Sequence, residues 1–182
     1  MRNRQIAQYG FVIILSSILL CISMTAGGAD EAKPKTTEPA GNKNNADPRV
    51  EKSLKEMGYK YSVTPLGNFR ISFTLDDGRG HWIFISSKTE KFNALETRKI
   101  WATVMRSKEV LSREVANKLL MDNIPQKLGA FELTKVDEGG YKVQFTVRID
   151  ADCKAAKLKD ALRLVLLTAD AKEKELTGAD EF

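Results

Sequence analysis

The chain has 182 residues, 42% of them apolar, and a formal charge of +5. That is enough apolar content for one hydrophobic core, without the strong basic excess of a nucleic-acid binder. A single histidine, His81, and two cysteines, Cys21 and Cys153, exclude histidine-dyad metal sites, four-cysteine zinc sites and a disulfide framework.

Residues 1–29 read as a signal peptide. Arg2 and Arg4 form a basic start, Phe11 to Met24 is a short apolar run, and Thr25-Ala26-Gly27-Gly28-Ala29 offers small residues for cleavage. The rival reading, an uncleaved membrane anchor, would need about 20 predominantly apolar residues. Ser16 and Ser17 interrupt this run, so a membrane association is expected only if the segment is retained. Cys21 follows Ile18-Leu19-Leu20 instead of a small residue, which argues against a lipid attachment site. The expected location is secreted or periplasmic. Removing the signal leaves Cys153 alone, and burial as a small hydrophobe is its expected state.

Residues 30–46 contain no large apolar side chain and are expected to be a disordered linker. Asp47-Pro48 then opens a first helix, with Val50, Leu54 and Met57 on one stripe and Gly58 at its end. Tyr61 and Val63 begin a strand, and Leu66-Gly67-Asn68 turns it. Phe69, Ile71, Phe73 and Leu75 alternate with Arg70, Ser72 and Thr74, the pattern of a half-buried strand. Strands are expected over 81–86 and 97–106, joined by a connection from Lys88 to Glu96.

Ser112 caps a second helix with Val115, Ala116, Leu119 and Leu120, stopped before Pro125. Phe131 and Leu133 enter a strand, Asp137-Glu138-Gly139-Gly140 turns it, and Tyr141, Val143, Phe145, Val147 and Ile149 return in alternation. A third helix runs from near Ala155 to about Leu176, with Leu158, Ala161, Leu162, Val165 and Ala169 on one face. Residues 177–182 are expected to be a flexible acidic tail. Strands and helices do not alternate one for one. The expected fold class is therefore α+β, an antiparallel sheet of five to six strands with three helices, over residues 47–176.

Leu119-Leu120, Asn123 at the helix end and Leu128-Gly129-Ala130-Phe131-Glu132-Leu133 opening a strand, followed by a hairpin and a long closing helix, carry a resemblance. This order resembles the YbjN-like family, whose fold is that of the type III secretion chaperones. The resemblance covers roughly residues 48–175. It implies a fold built for holding protein segments, here in an exported chain. The residues have their own physical reading beside it: Asn123 ends the helix on free backbone groups, Gly129 permits a tight entry, and Phe131 fills the core.

No residue set assembles into a catalytic, metal or cofactor site. His81 follows Gly80 at the mouth of a strand and is expected at a surface or turn. Asp76-Asp77-Gly78 and the 137–140 run lack the spacing of a calcium loop and read as turns. Lys52, Lys55 and Lys60, with Lys154, Lys157 and Lys159, alternate with acids on solvated helix faces.

The aromatic strands carry more information. Around Trp82 and around Trp101 both alternating sets are apolar, so each strand needs cover on both faces. Either helices cover both sides or a partner does. Trp82, Phe84, Trp101 and Met105 are accordingly the expected partner-binding residues, although the register decides whether Trp82 and Phe84 share the outer face. The expected function is a non-enzymatic binding module that holds a protein segment or dimerises through its sheet. The alternative is a small-ligand or enzymatic domain with an apolar pocket between helices and sheet, where His81 would be the ready acid–base group.

Overall fold

The computed structural model describes Lys33–Pro34 and residues 45–182 apart from residue 138. The expected signal peptide, and the expected linker except for Lys33–Pro34, Asn45 and Ala46, lie outside these described residues.

Seven antiparallel strands form one sheet: β1 (Lys33–Pro34), β2 (Ser62–Val63), β3 (Phe69–Thr74), β4 (Gly80–Phe92), β5 (Leu95–Ser107), β6 (Ala130–Lys135) and β7 (Tyr141–Asp150). Their spatial order is β1-β3-β4-β5-β7-β6, with β2 also pairing β3. Helices α1 (Pro48–Glu56), α2 (Arg113–Asp122) and α3 (Ala155–Thr177) complete the α+β fold.

Local chemistry explains the elements. Asp47 caps α1 by accepting the Arg49 N–H at 2.8 Å, and proline takes the first helical position. Ser112 caps α2 through the Val115 N–H. α3 ends at Gly178, whose φ of 67° needs a residue without a Cβ. Asn123 sits at the end of α2, and its side-chain oxygen accepts the Phe131 N–H at 2.7 Å. It pins the start of β6 to the helix. Gly129, at φ +87°, lies so close to β7 that an added Cβ would meet the Thr146 carbonyl at 2.4 Å. Phe131 can then pack its ring 5.1 Å from that of Phe145.

One cross-strand row, Ile71–Ile83–Ala102–Phe145–Phe131, faces the helices. α3 lies over it with Leu158, Ala161, Leu162, Val165, Leu166 and Ala169 buried, and α1 adds Val50 and Leu54. Lys118–Glu175 and Lys172–Asp122 ion pairs tie α2 to α3 on the same side.

Arg98 is 2% exposed and anchors the other end of the sheet. It donates to the Ser86 carbonyl at 2.6 Å and to the Asp47 carboxylate that caps α1. Cys153 is half-buried against the core.

Four expectations need correction. The segment 88–96 is not a separate connection: β4 and β5 continue through it to a tip at Asn93, after a register shift between Ile85 and Thr89. Lys33–Pro34, inside the expected linker, pairs with β3 opposite Thr74 and Phe73, because an open strand edge carries unpaired backbone groups. Residues 177–182, expected as a flexible tail, are ordered instead: Thr177 closes α3 and the rest is docked. Arg79 donates to the Ala179 carbonyl at 2.8 Å, and the Trp82 N–H donates to the Phe182 carbonyl at 3.2 Å. His81 is buried rather than at a surface, at 1% exposure.

Candidate functional site

All three helices pack on one face of the sheet, so the opposite face is where a partner has access. Its central row is the one next to the core row: Arg70–Phe84–Trp101–Thr146–Ala130. Side chains alternate along each strand, so Trp82, two residues from Phe84, belongs to this face too. The register left open by the sequence is thereby fixed. Trp82, Phe84 and Trp101 share the outer face, and all three are half-buried.

Their geometry is ordered. The Phe84 and Trp101 rings are stacked, with centroids 5.5 Å apart and planes 14° from parallel. The Arg70 guanidinium lies 4.4 Å over the Trp82 ring, and its Nε donates to Ser62 Oγ at 3.2 Å. Lys99 Nζ stands 5.8 Å from the Trp101 ring centre.

Met105 does not join them. A bulge between Thr103 and Met105 shifts the register by one residue and sets Met105 opposite Val143, against the core. Simple alternation from Trp101 would have placed it outside. The bulge reverses it.

The outer face is cationic. Arg70, Lys99, Arg106, Lys142 and Arg148 outnumber Glu90, Glu132 and Asp150 at the corresponding register positions. Glu132 is already engaged, accepting Lys99 at 2.8 Å and Arg148 at 2.7 Å. Burial tends to raise its carboxyl pKa, but these two bonds outweigh it and hold the group below its ordinary value. Lys142 is pushed down by burial, and further by the neighbouring charges of Lys99 and Arg106. Beside Trp101 an open cleft of about 310 Å³ is lined by Ser86, Lys88, Glu90, Lys99, Thr134, Lys142 and Gln144.

A second cluster lies at the helix-facing end of β4. His81 Nε2 donates to the Thr103 carbonyl at 2.9 Å, and Nδ1 lies 3.3 Å from Glu173 Oε2. Arg79 donates to Asp170 at 2.7 Å and to Glu173 at 3.2 Å. The donor atoms of His81, Asp170 and Glu173 lie within 4.8 Å of one another, close enough for a small cation. The Arg79 guanidinium, bonded to both carboxylates, already provides their positive charge. Burial lowers the His81 pKa and raises that of Glu173. This histidine is enclosed by protein rather than lining a cleft for a substrate. Sequence reasoning missed the cluster because Arg79 and His81 precede Asp170 and Glu173 by most of the domain.

The space between α3 and the sheet is filled by Ile83, Ile85, Ile100, Ala102, Phe145, Leu162, Val165 and Leu166, each at most 1% exposed. Among the described residues no helix is long and apolar enough to cross a membrane. No protein-family model matches the chain, and no curated protein matches it.

Proposed function

We propose that this is a binding module that holds a protein segment on the outer face of its sheet. The aromatic row Trp82, Phe84 and Trp101, set among Arg70, Lys99 and Lys142 on the face opposite the helices, is the observation that carries the reading. Aromatic rings flanked by cations favour a segment that brings apolar side chains and carboxylates together. The filled space between α3 and the sheet directs the reading to this face rather than to a pocket beneath the helices. The resemblance to the YbjN-like and type III chaperone fold points the same way, toward non-enzymatic capture of extended protein. The basic start and short apolar run at the N-terminus support an exported setting, secreted or periplasmic.

The test uses a fluorescein-labelled synthetic peptide of alternating glutamate and phenylalanine, with a lysine-for-glutamate control. The acidic peptide should bind and the basic one should not. Trp101→Ala should weaken binding by about 30-fold, the effect of losing a hot spot worth about 2 kcal/mol. Equal binding of both peptides, or none of either, removes the reading. Self-association in sedimentation that Trp101→Ala abolishes would assign the face to a second copy of the chain.

A further inference from the structure

The β4–β5 ladder begins only at Ile83 and Ala102. Beyond that pair the β4–β5 pairing stops where β5 carries its bulge, and the His81 side chain bridges from β4 to the Thr103 carbonyl at 2.9 Å. Gly80 and Trp82 lie two residues apart on β4, so their N–H groups point the same way, into the opening where the pairing stops. Both are taken by the segment after α3. The Asp180 carboxylate accepts the Gly80 N–H at 3.1 and 3.3 Å, and the Phe182 carbonyl accepts the Trp82 N–H at 3.2 Å. From the far side of the opening, the Arg106 guanidinium of β5 stands 5.5 Å from the Phe182 ring. A carboxylate and an aromatic ring, two residues apart on one short stretch, are therefore read by two backbone donors and one cation.

That stretch is held by polar contacts. Arg79 donates to the Ala179 carbonyl at 2.8 Å, and the Glu181 N–H donates to Glu173 Oε1 at 2.6 Å. Asp180 and Glu181 are exposed, and Ala179 and Phe182 are only half-buried. None of residues 179–182 belongs to the hydrophobic core. A segment with so little apolar burial opens at small free-energy cost, while the β4 donors it covers stay in place.

Building on the reading of the sheet as a segment-binding module, we propose that the opening between β4 and β5 is a strand-binding slot. Residues 179–182 occupy it in the resting chain and give way to a protein segment of the same chemistry, extended, with a carboxylate followed two residues later by an aromatic ring. Main-chain hydrogen bonds supply affinity, as in strand addition at a sheet edge, and Arg106 with Gly80 supplies selectivity. The slot opens next to Trp82, so a segment that enters it is delivered onto the outer face.

The probe is the peptide Gly-Ala-Asp-Glu-Phe amide carrying fluorescein on its N-terminal amine, followed by anisotropy against the full chain and a full-chain Asp180→Ala, Phe182→Ala double variant. A competing occupant lowers apparent affinity by the fraction of molecules that are open, so the variant should bind about tenfold tighter than wild type. A control peptide with alanine in place of the aspartate and the phenylalanine should bind neither. Equal affinity for both proteins, or no binding to either, overturns the proposal. Hydrogen exchange in wild type gives a second reading that does not depend on the variant folding. The Gly80 and Trp82 amides should exchange faster than that of Ile83; protection equal to Ile83 contradicts a displaceable occupant. Wild-type dimers that the double variant loses would assign the slot to the same segment of a second copy, against a foreign one. Trp101→Ala separates the two readings: it should weaken the glutamate–phenylalanine peptide on the outer face, while the tighter binding given by the Asp180→Ala, Phe182→Ala pair persists in its background.

Discussion

His81 Nδ1 lies 3.3 Å from Glu173 Oε2, and both side chains are fully buried. Thr103 offers His81 a carbonyl, which only accepts, so the hydrogen of Nε2 is committed there. Nδ1 of the neutral ring then presents a lone pair to a carboxylate oxygen, and the contact is attractive only with a proton between them. Among the described residues Nδ1 has no hydrogen-bond partner, and burial, which raises the Glu173 pKa, favours the protonated acid that could donate to it.

The first prediction follows from that proton. Burial raises the Glu173 pKa above its ordinary 4.5, so its stabilising contribution is complete below that value and is lost as pH rises toward the folded value. Burial lowers the His81 pKa below 6.5, so its contribution is complete above that value and is lost as pH falls. Glu173→Gln replaces the titrating hydroxyl with an amide that donates at every pH. Urea titrations from pH 5 upward should show wild type losing stability relative to the variant as pH rises. Parallel curves would place the proton elsewhere.

Asp47 couples a helix cap to a buried cation. Burial alone would raise its carboxyl, but hydrogen bonds from Arg49 and Arg98 outweigh that and bring it down to about 2. The sign is opposite to Glu173: this contribution is complete above the ordinary 3.8 and is lost as pH falls toward 2. Asp47→Ala strands Arg98, which is 2% exposed, and should cost about 3–5 kcal/mol in chemical denaturation. A loss below about 1 kcal/mol, typical of an exposed pair, would mean that solvent compensates the arginine.

Leu162 tests the helix layer. It is 1% exposed on the sheet-facing side of α3, and Leu162→Ala should cost about 2–5 kcal/mol. Unfolding indistinguishable from wild type would make α3 peripheral to the core.

Much of this architecture was legible in the chain because its signals are local. Asp47-Pro48 announces α1, and Tyr141 to Ile149 announces β7, through capping and alternation within a few residues. Alternation also confined Trp82, Phe84 and Trp101 to a choice of two faces, and only strand pairing could make that choice. Alternation from Trp101 points Met105 outward, but the bulge between Thr103 and Met105 turns it to the core, and no residue in Ile100 to Met105 marks that bulge. His81 read as a turn residue because its partner sits on α3 and no spacing rule links them. Residues 178–182 read as frayed because they are held through backbone groups, Arg79 and Glu173 instead of apolar side chains.

The chain has two tryptophans, Trp82 and Trp101, so a ¹⁵N-labelled sample gives two indole N–H signals, each reporting directly on the outer face. The decisive measurement is a titration of that sample with the glutamate–phenylalanine peptide. Binding on the outer face predicts that both signals shift and saturate together, with the same affinity as the fluorescence measurement. Saturable binding that leaves both indole signals unmoved would contradict it.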